Sequence, residues 1–521
     1  MKQILGSVGP SFALIAGLCI VIGGLFRCYK LDQPFTDEYS WRESSTAMMA
    51  KNFYKGGNSI FYPELDWGGP GPNYQGREFQ TLTYLTAQAY RVFGRKEWVG
   101  RGMVVAFALW GIFAFFQLVR RVWDPRRAAA AAAVLAILPG AMFTDRSFLP
   151  DPVMASLLVT ALWMLVTYLQ TDRRRYLLLA TLVGTLGVLT KLNGLILGLP
   201  VVYAVWATFR YRSIGPRRWL LFGNSAAFLL LSVVGYYLWA KHLSETYPPY
   251  HFAGGGKFLT PDTLGHWIRN GFFLGQMIWV LPWLLGEAAL FLTVAGLLLA
   301  RAHRRPEGHT GDGLPWFFHF WGIALVVQYL VEAQHLMDDP YNMHLYYPFA
   351  AAFTGQALIA LSDQIAAPAR RTAALAVLYA VLLFFGIQGS YYRFDHTESY
   401  SAYALGRELD SLTEPGELAI VLGGNPLALY YANLRGWAYI PHDAYRPEEH
   451  REWGRTDVEE LRAYREQGGG WVAIPRYDEF LQDLSREELG RKHPDIAAYL
   501  FENYAVVREG EHGIILRAAG E

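Results

Sequence analysis

Residues 11–57 read SFALIAGLCIVIGGLFRCYKLDQPFTDEYSWRESSTAMMAKNFYKGG, an apolar segment followed at once by a charged and aromatic one. The first half has the composition of a transmembrane helix. The second half carries adjacent carboxylates, Asp37 and Glu38, ahead of a stretch with a face of alanine, methionine, phenylalanine and tyrosine. This order predicts a first membrane span that leads directly into an amphipathic segment at the membrane edge.

The composition of the whole chain continues this pattern. Its 521 residues are 53% hydrophobic and only 17% charged, whereas about a quarter of the residues of a soluble domain are charged. Long apolar runs alternate with short arginine-rich segments, which predicts a polytopic helical membrane protein. The formal net charge of +1 argues against nucleic acid as a partner. Two cysteines, Cys19 and Cys28, do not form a disulfide framework.

About eleven apolar stretches could cross the bilayer as helices if flanking aromatic residues and tilt extend the shorter ones. They are residues 11–26, 102–119, 128–143, 152–169, 176–190, 195–209, 220–240, 281–300, 316–334, 345–361 and 373–390. The stretch 176–209 has arginines at both ends, so we expect the chain to turn within 191–194. Lys191 would then lie at the outer surface, either as an interfacial lysine that extends towards water or as a functional cation.

The orientation follows from the basic segments, which stay cytoplasmic when they lie in short loops. They are RRVWDPRR (120–127), TDRRR (171–175), RYRSIGPRR (210–218), RAHRR (301–305) and Arg370-Arg371. All of them fall on one side if the N-terminus is cytoplasmic. The outer side then receives residues 27–97, 144–151, 241–280 and 335–344 and the chain beyond about residue 391.

Two domains are predicted on this basis. Residues 1–390 form an all-α transmembrane domain that includes a long first outer loop, 27–97. The more polar residues 391–521 form a small extracytoplasmic α/β domain. Its predicted strands are 417–423, 471–475, 505–509 and 513–518, and its predicted helices are 427–437, 457–467 and 494–504. The turn GGNP (423–426) lacks the pattern G-x-G-x-x-G, so we expect a plain strand-to-helix turn.

The first outer loop begins with a helix signal. Ser40-Trp41-Arg42-Glu43 fits the capping box S-x-x-E, so a helix is expected from residue 41 to about 55, ended by Gly56-Gly57. Asp37 and Glu38 precede this cap. Acids near a helix N-terminus are stabilised by the helix dipole, so a structural role explains them. In the alternative role, a carboxylate removes the proton of an attacking hydroxyl group.

Six segments together resemble the bacterial branch of glycosyltransferase family 39, which is related to protein O-mannosyltransferases and to the lipid A aminoarabinose transferase. They are WRESSTAMMAKNFY (41–54), YPELDW (62–67), REFQTLTYL (77–85), FGRKEWVGR (93–101), DRSFLPDP (145–152) and NMHLYYPF (342–349). The similarity covers roughly residues 30–360. It implies the GT-C fold, a polyprenyl-phosphate-linked sugar as donor, reaction at the outer membrane face and inversion of the anomeric carbon.

The resemblance also implies site residues. An acid of the first loop acts as base or orients the acceptor: Asp37 is the first choice, Glu38 and Glu43 are contenders, and Glu78 matches the acid of a second family motif. Cations lower the barrier when they face the charge that develops on the departing phosphate, and arginine can grip phosphate as a fork. The donor-phosphate candidates are Arg77, Arg146, Lys191, Arg269, His344, Tyr346 and Tyr347.

Two further features have alternative interpretations. The segment HLMDDPYNMH (335–344) holds His335, Asp338, Asp339 and His344, which could bind zinc or manganese. Such residues are also ordinary in a short polar turn, and the resembled family largely works without a metal, so no cofactor is expected. Glu287 lies within the eighth apolar stretch, where an acid is either functional or hydrogen-bonded between helices.

The principal functional prediction is therefore a membrane glycosyltransferase of the bacterial plasma membrane with a polyprenyl-phosphate-linked donor, undecaprenyl phosphate being the favoured carrier. The sugar stays open, and so does the acceptor, which could be a lipid, a glycan or a protein. One alternative is a transporter or lipid flippase, which would typically show internal repeats and broken helices near the membrane midplane. Another is a membrane-anchored binding or assembly protein whose function lies in its C-terminal segment.

Overall fold

The computed structural model describes residues 10–210, 215–251, 272–299, 314–395, 397, 399–442, 456–478 and 481–519. Contacts within the chain define two compact units. The helical unit comprises Met1–Leu31, Arg101–Tyr237 and Gly254–Tyr392, and the mixed unit comprises Asp32–Gly100, Leu238–Ala253 and Arg393–Glu521. From the sequence, 27–97 is predicted to belong to the transmembrane domain, whereas contacts in the structure group residues 32–97 of this loop with the C-terminal segment.

Helices dominate the described residues. In chain order they are α1 (Pro10–Arg27), α2 (Ser40–Gly56), α3 (Thr81–Phe93), α4 (Glu97–Val122), α5 (Pro125–Ile137), α6 (Pro139–Thr144), α7 (Pro150–Thr171), α8 (Arg174–Thr190), α9 (Gly198–Phe209), α10 (Pro216–Thr246), α11 (Phe272–Leu285), α12 (Glu287–Leu299), α13 (Phe317–Asp338), α14 (Tyr346–Asp363), α15 (Pro368–Phe394), α16 (Tyr400–Leu412), α17 (Leu427–Ala432), α18 (Asp457–Glu466), α19 (Arg486–Lys492) and α20 (Pro494–Asn503). Short 3₁₀ segments occupy Leu192–Leu197 and Pro340–Met343.

Every predicted apolar stretch falls on one of these helices or on a broken pair of them. By length and composition, six helices of the described chain could span a membrane, or seven if one bent pair counts as a single span. These helices indicate a multi-pass membrane protein. The count of about eleven spans stays a prediction.

The alanine-rich helix α5 lies in the core of the helical unit. Asp124 caps it by accepting bonds from the backbone N–H groups of Arg126 and Arg127, and Pro125 occupies the first helical position. Its small side chains allow close helix packing. A Cβ added at Gly355 of α14 would lie 2.6 Å from the Ala131 nitrogen of α5, so the two backbones are almost in contact.

Two breaks in the helical unit bear on the sequence predictions. The expected interruption after 190 is confirmed, since α8 ends at Thr190 and α9 begins at Gly198. The apolar stretch 281–300 falls on two helices, and its crossing of the membrane as one span stays a prediction. Helices α11 and α12 meet at Gly286, which has a φ of 77°, and they are bent by 100°. Glu287 is therefore an exposed residue in the first turn of α12, where the helix dipole favours a carboxylate.

The C-terminal part of the mixed unit contains a five-stranded sheet of order β2-β1-β3-β7-β6. Its strands are β1 (Leu418–Leu422), β2 (Arg435–Tyr439), β3 (Gly469–Pro475), β6 (Tyr504–Gly510) and β7 (Gly513–Ala518), and a short pair, β4 (Tyr477–Asp478) with β5 (Gln482–Asp483), forms a second sheet. Strand β1 is parallel to β2 and β3, while β7 is antiparallel to β3 and β6. The predicted α/β character is thus confirmed.

One predicted helix in this region is half wrong. The helix expected over 427–437 ends at Ala432, because Asn433 adopts a left-handed conformation with a φ of 56°. The following residues form β2, an edge strand whose apolar side chains join the core of the sheet. The GGNP turn that precedes this helix is the plain strand-to-helix turn expected from the sequence.

Residues 66–69 of the first loop pair with the edge of this sheet. Gly436 of β2 donates its N–H to the Asp66 carbonyl (3.0 Å), and its own carbonyl accepts from Gly68 (2.9 Å) and Gly69 (2.8 Å). A Cβ at Gly436 would overlap the Ala419 carbonyl oxygen of the neighbouring strand. The unpaired edge of a sheet is a natural docking surface for another strand. This pairing explains why the loop belongs to the mixed unit.

Candidate active site

In the mixed unit, the acids of the first loop lie at the start of α2. The helix begins at Ser40, one residue earlier than predicted, and its N-terminal flanking residue is Tyr39, which makes no side-chain cap bond. The predicted capping box is therefore wrong. The Ser40 hydroxyl instead accepts a bond from the Asn425 amide at 3.0 Å. The C-terminal end is as predicted, with Gly57 in the left-handed conformation.

Residues 35–40 are called here the acidic lead-in, because they bring Asp37 and Glu38 to this helix. Asp37 is 2% exposed, and its carbonyl accepts the Ser40 N–H at 2.9 Å. Glu38 is partly exposed, with its carboxylate 4.0 Å from Nε of the buried Arg393. Glu43 follows in the first turn of α2 and is fully buried. The structure thus brings the three predicted acids into one short stretch and adds an arginine that was not predicted.

Arg77 and Glu78 meet a residue of α2. The Glu78 carboxylate accepts a bond from Arg42 and lies 3.6 Å from Nε of Arg77, which is only 1% exposed. Arg77, predicted to bind phosphate, therefore has a carboxylate beside it. Arg42 was not assigned a site role from the sequence. Its position beside Glu43 in the W-R-E motif is the signal that could have pointed to it.

The rest of the loop is packed against α2. Lys51 forms a buried ion pair with Asp66, and the Asn52 amide donates to the Glu64 carbonyl at 2.9 Å. Burial lowers the pKa of the Lys51 ammonium group, although Asp66 acts in the opposite direction. These contacts make the loop an ordered structure rather than a flexible tether.

In the helical unit, a buried charged group gathers around the loop between α6 and α7. Asp145 Oδ2 accepts bonds from Nε (2.9 Å) and Nη2 (2.6 Å) of Arg27, and Asp145 Oδ1 lies 3.1 Å from Nε2 of His344. Burial alone would raise the pKa of the Asp145 carboxyl, but the Arg27 charge and the His344 hydrogen bond outweigh it and lower that pKa. The Tyr347 ring packs on the His344 ring with centroids 5.0 Å apart.

A second buried pair joins two parts of the same unit. Lys191 Nζ donates to Oδ1 of Asp151 at 2.6 Å and lies 4.8 Å from the centroid of the Tyr341 ring. The interpretation of Lys191 as an interfacial lysine extending towards water is therefore wrong, because it is buried and paired with an anion. Its pairing instead follows the rule that buried charges find partners.

Two of the other predicted phosphate residues, Arg146 and Tyr346, donate hydrogen bonds to backbone carbonyl groups. Arg146 is buried, and its Nη2 donates to the Lys30 carbonyl at 2.9 Å. Tyr346 donates its hydroxyl to the Leu325 carbonyl at 3.0 Å. Arg269 lies outside the described residues. The segment DRSFLPDP could have pointed to Asp145 and Asp151 as paired residues, because acids in a short loop between spans usually have partners.

The residues considered for a metal site are divided between two pairings. His335 Nδ1 lies 3.8 Å from the Asp339 carboxylate, whereas His344 is bonded to Asp145. Within the described part of the chain, no group of three or more histidine, cysteine, aspartate or glutamate side chains could hold a metal ion.

The comparisons with known proteins fit this architecture. Residues 81–237 match the model of the family described as dolichyl-phosphate-mannose-protein mannosyltransferase. No curated protein matches the chain in sequence. The solved structure of ArnT from Cupriavidus metallidurans bound to undecaprenyl phosphate is similar with a TM-score of 0.65 and 15% identity, over 96% of this chain and 97% of that one.

This chain has the GT-C fold. Two structures of the Archaeoglobus fulgidus oligosaccharyltransferase also share it, each over 88% of this chain and 69% of that one. AglB in complex with an inhibitory peptide and a dolichol-phosphate has a TM-score of 0.56 and 16% identity. The form tethered to an acceptor peptide has a TM-score of 0.57 and 15% identity. The resemblance to GT-C glycosyltransferases is thereby confirmed.

Proposed function

We propose that this protein is an inverting glycosyltransferase that moves a sugar from a polyprenyl-phosphate donor to a lipid, glycan or protein acceptor. The observation that carries the proposal is the likeness, over nearly the whole of both chains, to ArnT bound to undecaprenyl phosphate. The AglB structure with dolichol-phosphate supports the same class of lipid carrier. In this proposal the reaction takes place at the outer face of the bacterial plasma membrane, with the N-terminus cytoplasmic and residues 391–521 outside.

Asp37 is the proposed general base. Its competitors Glu38 and Glu78 each lie beside an arginine. Glu43 belongs to the regular first turn of α2, and both Glu43 and Asp37 are buried. Asp37 lies in the loop before the helix, where its carboxylate can be held within hydrogen-bond reach of an acceptor hydroxyl group.

Cations of the chain stabilise the departing phosphate in this proposal. Arg77 and Arg146 keep the role predicted for them, and so does Arg269, which lies outside the described residues. Lys191 and His344 are each bonded to an aspartate. Their proposed contribution is therefore to hold the 144–151 loop in shape rather than to supply a full positive charge.

The first test measures donor-class binding and catalysis separately. The full chain, reconstituted in nanodiscs, is titrated with undecaprenyl phosphate and with undecaprenol while native mass spectrometry records the bound lipid. The proposal expects binding of the phosphate form only. Sugar transfer is then followed as release of undecaprenyl phosphate from a lipid-linked sugar pool extracted from bacterial membranes. Equal binding of both lipids, or no release in the presence of any extract, would contradict the proposed function.

Asp37→Asn tests the base. It should lower the turnover number by about 10²–10⁴-fold, the usual contribution of a positioned base, and leave binding of undecaprenyl phosphate unchanged. Asp32→Asn is the matched control, because Asp32 is an exposed carboxylate of the same loop. Near-normal turnover in Asp37→Asn would move the role to Glu43 or Glu78.

The rival function is transport of a lipid or solute. One feature favours it, namely the break between α11 and α12 at Gly286, because transporters often use broken helices. The release assay separates the two functions. A transporter moves its substrate across a vesicle membrane without forming a new glycosidic bond, so the lipid-linked sugar would be recovered intact.

A further inference from the structure

The acidic lead-in is held at its first residue by α17 of the C-terminal segment. The Phe35 N–H donates to the Tyr431 hydroxyl at 3.0 Å, and that hydroxyl donates in turn to Oε1 of Glu97 at 3.1 Å. The Phe35 ring also packs against Tyr430, with centroids 5.8 Å apart. The Tyr431 hydroxyl therefore serves as acceptor and donor at once, and its position is fixed by two bonds.

The same segment holds the last residue of the lead-in. The Asn425 amide nitrogen donates to Ser40 Oγ (3.0 Å) and to Ser399 Oγ (3.1 Å), while its oxygen accepts the Leu427 N–H (3.0 Å). The bond to Leu427 alone would make Asn425 an ordinary residue of a strand-to-helix turn. The Asn425 amide nitrogen, however, also donates to two serine hydroxyl groups of other segments, and both Asn425 and Ser40 are buried.

A third contact lies between these two anchors. The buried Arg393 approaches the Glu38 carboxylate at 4.0 Å. Residues 35, 38 and 40 therefore all meet side chains that lie more than 350 positions later in the chain. Asp37, the proposed base, lies between the anchored positions.

We propose that Tyr431 and Asn425 are positioning residues that set the orientation of the Asp37 carboxylate, so that the C-terminal segment takes part in catalysis without touching the substrate. This inference rests on the proposed function. A free six-residue loop would sample many backbone conformations, and fixing each residue costs about 1–2 kcal/mol. Anchors at both ends of the loop supply that order before the substrate binds.

The magnitude follows from the geometric demand of catalysis. Productive geometry must be held to within about 0.5 Å, and a misplacement of about 1 Å can cost 10²-fold in rate. Loss of one anchor should therefore lower the turnover number by about 10- to 100-fold. Binding of the lipid phosphate should stay unchanged, because neither residue is assigned to it.

The test uses the full chain in nanodiscs and two readouts. Tyr431→Phe removes a single oxygen atom and keeps the ring. The matched control is Tyr504→Phe, whose hydroxyl donates to the Gly469 carbonyl at 3.0 Å inside the C-terminal sheet. Hydrogen exchange, followed by mass spectrometry, should show faster exchange of a peptide covering residues 35–40 in Tyr431→Phe and no change there in the control. The release assay should show the loss of turnover in the first variant alone.

A second variant guards against an unstable protein. Ser40→Ala removes the hydroxyl that accepts from the Asn425 amide and leaves the Asn425 bond to the Leu427 N–H, so it should reproduce both effects. Unchanged exchange at 35–40 in both variants would overturn the inference, as would faster exchange with normal turnover. The exchange readout needs no activity, so a wild-type protein that releases no undecaprenyl phosphate would overturn the proposed function alone.

Discussion

The buried charges around Asp145 yield the sharpest prediction about stability. Asp145→Asn removes one charge and leaves the shape of the side chain almost unchanged. Arg27 would keep its bonds to the carbonyl oxygens of Gly23 (3.0 Å) and Ala136 (2.6 Å) and lose the carboxylate that accepts from Nε and Nη2. A fully buried guanidinium group would then have only neutral acceptors.

Removing one partner of a buried ion pair costs roughly 3–5 kcal/mol. We expect about 3 kcal/mol for Asp145→Asn, the lower end, because the amide oxygen can still accept a hydrogen bond. Arg27→Met should cost less, about 2 kcal/mol, since Asp145 keeps the His344 hydrogen bond. The double variant Arg27→Met/Asp145→Leu removes both charges, so its loss should be smaller than the sum of the single losses.

The pH dependence of this effect has a definite sign. Because the folded protein lowers the pKa of Asp145, the ionised carboxylate stabilises the fold above the unfolded-state value of about 4. That contribution is lost as the pH falls through the lower folded pKa. The difference in stability between wild type and Asp145→Asn should therefore be constant from about pH 5 upwards and shrink only below about pH 4.

The free energy of unfolding is measured by titrating the protein from mild detergent micelles into SDS, with helix content as the signal. Exposed Asp363→Asn serves as the control for the loss of a surface charge, where a pair contributes about 0–1 kcal/mol. A loss below about 1 kcal/mol for Asp145→Asn would refute the reasoning, and strictly additive losses in the double variant would show that the two charges are not coupled.

Two further predictions concern close backbone contacts. Gly23→Ala in α1 should destabilise the protein by about 1–3 kcal/mol, because the new Cβ would overlap a carbonyl oxygen of α5; Gly17→Ala in the same helix, with open space around it, should be neutral in the same SDS titration. Gly436→Ala should push β1 from β2 and speed hydrogen exchange of both strands, whereas Gly510→Ala, where nothing lies within 4 Å, should not. Normal exchange in Gly436→Ala would contradict the close pairing of these strands.

Local patterns in the sequence were sufficient to predict most of the fold. Every apolar stretch lies on a helix or on a broken pair of helices, and the break after residue 190 is where the arginines at both ends of 176–209 required it. The C-terminal segment has the expected α/β structure. Hydrophobic length and turn residues act over a few neighbours, so they can be interpreted without knowing the rest of the chain. The incorrect predictions are equally local: α2 begins at Ser40 without the predicted capping box, and Asn433 ends a helix that was predicted to continue to residue 437.

The sequence by itself determined a chain of apolar helices with an acidic first loop and scattered cations, and it identified most of the candidate residues by type. Only the tertiary structure decided their partners: Arg27 with Asp145 across 118 positions, Lys191 with Asp151, and Ser40 with Asn425 across 385 positions. A charge removed from water must find a partner, but which partner it meets depends on how distant segments pack. No local pattern contains that information, so the grouping of the first loop with the C-terminal segment emerged from the fold alone.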